Sequence, residues 1–596
     1  MRAIMLKMNK ETAKAVSLAV SLAVAAFLIY LPTLRSGFIW DDIQLLANPY
    51  QVGSNPYAFF FGGGVYYRPF LRLSMLFDYG LWHLAPAGYH LTNLLLHTGN
   101  SLLVFLVGFH LLKNQQLTPA ADVPAKRGFE NPLILSFVSA CLFALHPIHT
   151  ESVAWISART DLLSTFFFLL AFLACLEYSR KGTNTGLVIC GLFFLFSLFA
   201  KENAVAFIGV ALAYGILIGI GKKRLLLLAG TLVTTCLIYL SFRQARGIEQ
   251  ILTAGGANGA FFSSALTPKE LMEVLIKGTG YYIEKLLFPF NLNFLPKVPE
   301  ESIYVVFCFL PFIVAVFLYL GRHRLKTFLI IWILATLSPC IPVLFSQMSA
   351  PIGERYLYLP SAGLTILLAS FLTRIKYRKV VLASTLAVLL TYAITTHERL
   401  IMWKDDATIW QDTVTKNPES VTAHINFASA LIKEKEFGKA KDELIAALKE
   451  KKLPFAQVSL IFDHLGVISL NEKNYAKAEE FFISSLRANP ENVAAYNNFG
   501  FLCSEMADSV PRNAKRKEEL LHQAVSHFEQ ALRYSPGFIQ PMYNLGLSHL
   551  KLSEYGKAEQ YFQRVVETDP RSNLSASSIQ YLFVIEFAKR APQGRT

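Results

Sequence analysis

At 596 residues the chain is too long for one compact core and is expected to fold as at least two structural units. Hydrophobic residues make up 53% and charged residues only 16%, with a mean hydropathy of +0.39; this composition excludes an ordinary soluble protein and is typical of a polytopic membrane protein. The formal charge of +14 would also suit a nucleic-acid partner. The Lys and Arg residues, however, cluster in short loops between apolar segments, so we predict no nucleic-acid partner.

The first apolar run covers residues 15–34 and follows four basic residues within 1–14. It is long enough to span a bilayer, and no small-residue cleavage site precedes Arg35, so we predict a retained signal anchor with a cytoplasmic amino terminus. Asp41 and Asp42 then lie on the far side of the membrane. In a bacterium this is the inner membrane with a periplasmic site, and in a eukaryote it is the endoplasmic reticulum membrane.

Ten further apolar segments raise the prediction to about 11 spans. They lie near 89–112, 131–146, 161–178, 186–200, 204–220, 225–242, 303–320, 326–345, 356–372 and 379–396. Basic residues fall in alternate loops, which are therefore predicted to be cytoplasmic; these loops carry Lys113, Lys126, Arg127, Arg180, Lys181, 222–224, Arg322, Arg324, Lys326, Arg374, Lys376, Arg378 and Lys379. An odd number of spans places the carboxyl terminus on the same side as Asp41.

Two long loops face that outer side, at 35–88 and 243–302. The first is too aromatic for disorder and is predicted to pack on the membrane surface through short interfacial helices. Within the second, 271–287 is interrupted by Lys277, Glu284 and Lys285 and is predicted to lie along the surface instead of spanning. The spans and these loops define a predicted membrane domain over 1–403.

The remaining residues, 404–596, carry a repeat. Asn417-Pro418, Leu453-Pro454, Asn489-Pro490, Ser535-Pro536 and Asp569-Pro570 recur at intervals of 36, 36, 46 and 34 residues. This is the period of the tetratricopeptide helical hairpin, so we predict an α-solenoid of four repeats with a capping helix at 574–589. Such arrays bind extended polypeptides, which is the favoured interpretation; the alternative is a spacer or oligomerisation element with no peptide ligand.

Polar clusters interrupt the membrane half, and on this topology all lie on the outer side. The candidate site residues are Asp41, Asp42, Arg68, His146, His149, Glu151, Arg159, Asp161, Lys201, Glu202, Arg355 and Tyr356. Acids and fixed cations on separate loops that converge predict an anionic ligand and a general base. Sugar transfer from a polyprenyl-phosphate-linked donor fits, because a carboxylate takes the proton of the incoming hydroxyl while cations neutralise the departing phosphate.

Each cluster has an alternative interpretation. The two acids could cap a helix, and Arg355 and Tyr356 could be interfacial anchors. His146 and His149 could bind a metal with Glu151, but packing of the loop around Pro147 is favoured, and no cofactor is predicted. The seven cysteines show no CxxC or CxxH spacing and predict neither a zinc site nor a disulfide framework.

Several ordered segments together resemble one known family, the transmembrane and tetratricopeptide-repeat-containing (TMTC) proteins and their bacterial relatives. The segments that carry the resemblance are Phe38-Ile39-Trp40-Asp41-Asp42, Tyr67-Arg68-Pro69-Phe70, 88–97, 142–151, 159–163, Lys201-Glu202 and 354–361. The order of these segments and the repeat tail make the likeness specific, and it covers nearly the whole chain.

The resemblance implies a GT-C type glycosyltransferase fold with an acidic motif in the first external loop, which falls on Asp41 and Asp42. It also implies inverting transfer of mannose to Ser or Thr hydroxyls of proteins, with Asp41 as base and Asp42 in support. Arg159, Lys201, Arg355 and Arg68 are predicted from charge and topology to contact the donor phosphate. The array is shorter than in animal members, so a lipid or polysaccharide acceptor and a non-enzymatic repeat scaffold stay open as alternatives.

Overall fold

The computed structural model describes residues 10–42, 67–113, 131–244, 267–345, 352–372, 377–450, 453–511, 515–570 and 572–590. Regular structure in these ranges is entirely helical. The chain divides into two compact units, here named the membrane unit (1–412) and the repeat unit (413–596). The prediction of an all-α fold with membrane helices followed by tetratricopeptide repeats is confirmed.

The described part of the membrane unit is built from long helices connected by short 3-10 turns. The helices are α1 (Lys10–Tyr30), α2 (Pro69–Trp82), α3 (Pro86–Lys113), α4 (Pro132–Ala144), α5 (Thr150–Ala154), α6 (Arg159–Lys181), α7 (Asn184–Ala200), α8 (Phe207–Ile218), α9 (Lys222–Gln244), α10 (Pro268–Leu287), α11 (Ile303–Leu320), α12 (Arg324–Leu337), α13 (Tyr358–Leu372), α14 (Arg378–Met402) and α15 (Asp406–Lys416). α3, α4, α6 and α13 pack against one another at the centre. α1, α9, α11 and α14 expose most of their apolar length.

Every one of the 11 predicted spans contains a helix, but not all of these helices are long enough to cross a bilayer alone. Within the described residues, eight helices are long and apolar enough, and a pair bent by 50° at residues 132–154 would make nine. The predicted spans at 186–200 and 204–220 form shorter apolar helices. The chain is a multi-pass membrane protein, with fewer full-length spans than the apolar runs suggest.

Several predicted features lie outside the described residues: 43–66 of the first loop, 245–266 of the second, and the basic residues Lys126, Arg127, Arg374 and Lys376. The described end of the first loop forms α2, which exposes Leu73, Phe77 and Leu81 along one side. The interfacial placement of this helix stays a prediction. The boundary between the two units in the chain lies at 412/413, nine residues after the start predicted at 404. The boundary lies later because Trp410 packs with Trp40 and Phe294 of the membrane unit.

The segment 271–287, which was predicted to lie along the surface, is part of α10. This helix is not among the helices suited to span a membrane. A capping box starts this helix: the Thr267 hydroxyl accepts from the Glu270 backbone N–H, and the Glu270 carboxylate accepts from the Thr267 N–H. Gly280 lets α10 lie directly on the start of α11, since a Cβ atom there would fall 1.9 Å from the Tyr304 carbonyl oxygen.

We expect Gly280→Ala to destabilise the membrane unit by about 1–3 kcal/mol, because the new methyl group meets backbone that cannot rotate away. Gly230→Ala in α9 is the control, since nothing lies within 4 Å of a Cβ atom at that glycine. Thermal unfolding of the two variants in detergent measures the effect. Equal melting temperatures would contradict the close approach of α10 to α11.

Paired helices form the repeat unit. They are α16 (Val421–Lys433), α17 (Phe437–Ala447), α18 (Phe455–Asn471), α19 (Tyr475–Ala488), α20 (Val493–Asp508), α21 (Lys515–Tyr534), α22 (Ile539–Lys551), α23 (Tyr555–Thr568) and the capping helix α24 (Asn573–Arg590). In the last three hairpins Gly466, Gly500 and Gly546 each lie against a Phe ring of the second helix, so the two helices approach closely. The 46-residue interval of the third repeat includes α21, which is 20 residues long.

The buried carboxyl group of Asp463 lowers the stability of the repeat unit at neutral pH. Asp463 in α18 is 2% exposed and accepts hydrogen bonds from the Asn498 amide at 3.0 and 3.3 Å. Burial raises the pKa of this carboxyl to about 6, and the hydrogen bonds from Asn498 only partly oppose the effect. Because the folded-state pKa lies above the unfolded one, this group reduces stability as the pH rises from about 4 to about 6.

We expect Asp463→Asn to stabilise the repeat unit at pH 7.5 by roughly 1–3 kcal/mol, because the amide keeps an acceptor for Asn498 without a buried charge. At pH 4 the difference should vanish, since the native carboxyl is then protonated. Urea unfolding of residues 413–596 at both pH values measures this, with exposed Glu491→Gln as control. A gain of the same size at pH 4 would rule out ionisation as its cause.

Candidate active site

The segment that carries the two acids is held in a strained turn. Trp40 has φ of 52°, a left-handed conformation that costs a bulky residue about 1 kcal/mol or more. The Trp40 ring stacks on Trp155 with ring centres 5.6 Å apart, and it meets Phe294 and Trp410 edge-on. The Trp40 backbone N–H donates a hydrogen bond to Asp406 at 2.8 Å. This aromatic cluster keeps the turn in place, so that the two carboxylates that follow it have different surroundings.

Asp42 is 1% exposed and spends both carboxylate oxygens on the loop itself. Its Oδ2 accepts from the Ile39 N–H at 2.9 Å, and its Oδ1 accepts from the Ser157 N–H at 2.9 Å and the Ser157 hydroxyl at 2.6 Å. Burial raises the pKa of Asp42 to about 7, against the opposing effect of the Ser157 hydrogen bond. Asp42 therefore ties the turn to the start of α6.

Asp41 is placed differently. Its Oδ1 atom is buried and has no hydrogen-bond partner among the described residues, and the neighbouring Trp155 indole nitrogen has none either. Burial raises the pKa of Asp41, while the Ser157 hydroxyl and the positive charge of Arg355 oppose that shift. A buried carboxylate oxygen without a donor is costly, and in this respect Asp41 differs from Asp42, whose two oxygens are both occupied.

Each predicted phosphate-binding cation is already paired with a carboxylate. Lys201 Nζ lies 2.7 Å from Asp161, Arg68 lies 2.6 Å from Glu202, and Arg159 lies 2.7 Å from Asp78. Arg355 pairs with Glu151, which also accepts from the Arg355 backbone N–H at 3.0 Å. The structure thus joins four cations from separate loops to four acids, and three of these acids are among the predicted site residues.

Arg159 departs from its predicted role. Its guanidinium is fully buried, and besides Asp78 it donates to Asn93 at 2.7 Å and to the Tyr89 carbonyl at 2.8 Å. No face of this group is open to a ligand. The partner of Arg159 is Asp78 of α2, so the ion pair joins α2 to the start of α6.

Tyr356 links the remaining cations. Lys201 Nζ lies 4.9 Å from the centre of its ring and the Arg355 guanidinium 4.7 Å, and Arg355 also donates to the Tyr356 hydroxyl at 3.3 Å. Arg355 packs over Trp155 at 5.3 Å as well. Lys201 and Arg355 thus share the Tyr356 ring, and the positive charge of Arg355 acts on Asp41, so these four side chains form one charged cluster.

The histidines of the His146-Pro147-Ile148-His149 segment serve packing. His146 Nε2 lies 3.3 Å from the Leu286 carbonyl, and His149 Nε2 lies 2.8 Å from the Ser361 hydroxyl. Glu151 is occupied by Arg355. Within the described ranges, no three His, Cys, Asp or Glu side chains are grouped so that they could hold a metal ion.

The sequence analysis did not identify the residues that give Asp41 and Asp42 different surroundings, or the partner of Arg159. Ser157 selects Asp42 as the structural carboxylate, Trp155 covers Asp41, and Asp78 neutralises Arg159. Each is far from its partner along the chain, and only the order of the segments hinted that 155–161 and 37–42 would meet.

Comparison with known proteins agrees with this architecture. A tetratricopeptide-repeat family model matches residues 539–572. The Homo sapiens protein O-mannosyl-transferase TMTC3 is 25% identical over 617 residues, which cover 91% of this chain and 63% of the relative. The Drosophila melanogaster protein O-mannosyl-transferase Tmtc3 is 24% identical over 627 residues, which cover 89% and 65%.

The chain is similar to TMTC proteins over most of its length. The aligned share takes in both the membrane unit and the repeat unit, and the chain spans just under two thirds of the length of those curated proteins. A solved structure, the first tetratricopeptide-repeat domain of Spaghetti (RPAP3) bound to the HSP90 peptide SRMEEVD, is similar at 16% identity. It covers 22% of this chain and 94% of that chain, with a TM-score of 0.20.

Proposed function

We propose that this protein is an inverting glycosyltransferase that moves mannose from a polyprenyl-phosphate donor to Ser or Thr hydroxyls of proteins. The observation that carries the proposal is the buried Asp41 Oδ1 atom, which has no hydrogen-bond partner among the described residues. It belongs to the charged cluster with Arg355, Tyr356 and Lys201. Relatives named protein O-mannosyl-transferases support the sugar and the protein acceptor.

Asp41 acts as the general base. Its free oxygen accepts the proton of the acceptor hydroxyl as that oxygen attacks the anomeric carbon, and the bond from this carbon to the phosphate oxygen breaks on the opposite face. The configuration inverts, and the electron pair leaves with the lipid phosphate. Asp42 does not take part in proton transfer, since both of its oxygens hold the turn, and its role is to position Asp41.

Charge builds on the departing phosphate, and Lys201 and Arg355 are the cations that stabilise it. Asp161 and Glu151 hold these two cations in place and at the same time reduce their net charge. Arg159 is left out of this step, because its guanidinium is saturated by groups of the protein. The cations of the site therefore act from fixed positions, as electrostatic stabilisation requires.

The repeat unit is proposed to bind the acceptor polypeptide, and the site is proposed to face the outside of a bacterial inner membrane. Mass spectrometry of secreted proteins from cells with and without this gene tests the activity. Hexose increments that depend on the gene are expected, and their absence from every secreted protein would contradict the protein acceptor. Removal of 413–596 should abolish protein glycosylation, whereas a lipid or polysaccharide acceptor predicts that turnover survives.

A further inference from the structure

We propose that Arg68 and Arg243 form an entry site for the phosphate group of a lipid, and that the Glu202 carboxylate occupies this site until the lipid displaces it. The proposal names where the donor of the proposed function first binds, and it rests on that function for the identity of the lipid. Arg243 was not among the residues that the sequence singled out.

The Arg68–Glu202 pair has the geometry of a phosphate complex. Arg68 donates from Nε and from one terminal nitrogen to the two Glu202 oxygens, at 3.0 and 2.6 Å. A guanidinium grips carboxylate and phosphate oxygens with the same two parallel hydrogen bonds, so a phosphate can replace Glu202 without moving the arginine.

The Arg68–Glu202 pair is the most exposed of the four ion pairs described for the candidate site. The side chains of Arg68 and Glu202 are 20% and 32% exposed, whereas no side chain of the other three pairs exceeds 12%. An ion pair can exchange one partner for a ligand only if the ligand can approach it. The Arg68–Glu202 pair therefore meets the requirement for exchange of a partner, whereas Lys201 and Arg355 keep their carboxylates and act from fixed positions.

The pair also lies where a lipid would arrive. Tyr67, next to Arg68, packs against Phe199 and Tyr239 with ring centres 6.0 Å from each, and Phe199 in turn meets Phe242. Tyr239 and Phe242 belong to α9, a helix that is apolar and largely exposed along its length. In a bilayer that surface faces acyl chains, so the pair borders the lipid phase.

Arg243 supplies a second positive charge at the same place. It lies in the last turn of α9 and makes no ion pair with any residue in the described ranges. The Tyr239 hydroxyl is within electrostatic reach of Glu202, Arg243 and Arg68 together. Glu202 pairs with Arg68 and not with Arg243, so this group of three side chains carries a net positive charge suited to a lipid phosphate.

A bound phosphate would then have a short path inward. Glu202 follows Lys201 in the chain, and Lys201 lies over the Tyr356 ring that Arg355 also contacts. Arg355 in turn acts on Asp41. The entry site and the proposed catalytic base are therefore linked through Lys201, the Tyr356 ring and Arg355.

Binding of a short polyprenyl phosphate without sugar, farnesyl phosphate, to the purified full-length protein in nanodiscs tests the proposal, because no transfer is needed. Arg68→Ala and Arg243→Ala should each weaken binding by about tenfold, and Arg68→Lys less so. Glu202→Gln should strengthen it by about threefold, since a neutral amide competes less well than a carboxylate. Arg180→Ala and Glu177→Gln, which alter an exposed Arg–Glu pair near the end of α6, are the matched controls and should change nothing.

Unchanged or weaker binding by Glu202→Gln would overturn the proposal, because the pair would then be a structural element. Equal retention of phosphatidylglycerol would assign the site to ordinary phospholipid headgroups and would overturn its link to the donor. Equal binding of farnesol, which lacks the phosphate, would also overturn it. If sugar transfer is absent while the four binding results are obtained, the entry site stands and the proposed function fails.

Discussion

Asp41→Asn is expected to lower the turnover number for sugar transfer by about a hundredfold to ten-thousandfold, the range typical for loss of a general base. The amide nitrogen and oxygen fill the same space as the carboxylate but cannot accept a proton from the attacking hydroxyl. The assay uses purified protein, a polyprenyl-phosphate mannose donor and a Ser- or Thr-containing peptide, and counts hexose additions by mass spectrometry. Unchanged turnover would rule out Asp41 as the base.

Asp42→Asn is the matched control for this experiment, because it removes a neighbouring charge with the same change in shape. We expect a lower melting temperature and a smaller loss of turnover, since Asp42 accepts three hydrogen bonds within the turn. If instead Asp42→Asn removed turnover without loss of stability, the roles of the two acids would be reversed.

The pH dependence of turnover gives an independent test of the same residue. A general base must be ionised, so turnover should fall as the pH drops through the pKa of Asp41. Burial raises the pKa of Asp41, and the fall should therefore begin at a less acidic pH than an exposed aspartate would give. A profile that is flat down to the pH range of ordinary exposed aspartates would contradict the burial of Asp41.

Arg159→Met is expected to destabilise the membrane unit by about 3–5 kcal/mol, because it leaves the Asp78 carboxylate buried without its cation. Combined with Asp78→Leu it should recover part of that loss, since the double variant no longer buries a charge. Melting temperatures in detergent measure both effects, and Arg180→Ala, on an exposed ion pair of the same helix, should shift stability by less than about 1 kcal/mol.

This prediction also decides between the two roles given to Arg159. A stable Arg159→Met protein that binds farnesyl phosphate more weakly would restore Arg159 as a phosphate contact, as charge and topology predicted. Loss of stability with unchanged lipid binding supports the role that its contacts indicate, which is to hold α2 on the bundle.

The fold was largely predictable because its signals are local. Each apolar run became a helix, and the Pro spacing located the hairpins of the repeat unit with its Gly and Phe contacts. The number of full-length spans was harder to predict, since hydropathy alone does not show that 132–154 bends or that α7 and α8 are short. Trp410 shows why the boundary between units was less certain, because its burial depends on Trp40 and Phe294 far away in the chain.

Composition, periodicity and motif order were enough to predict a helical membrane protein with a tetratricopeptide array, because each of these signals depends on neighbouring residues. They also led us to propose Asp41, Asp42 and a set of cations as one site. The different surroundings of the two acids and the exposure of each cation could be read only from the folded chain. Those properties depend on partners such as Ser157 for Asp42 and Asp78 for Arg159, which folding brings together from distant parts of the chain.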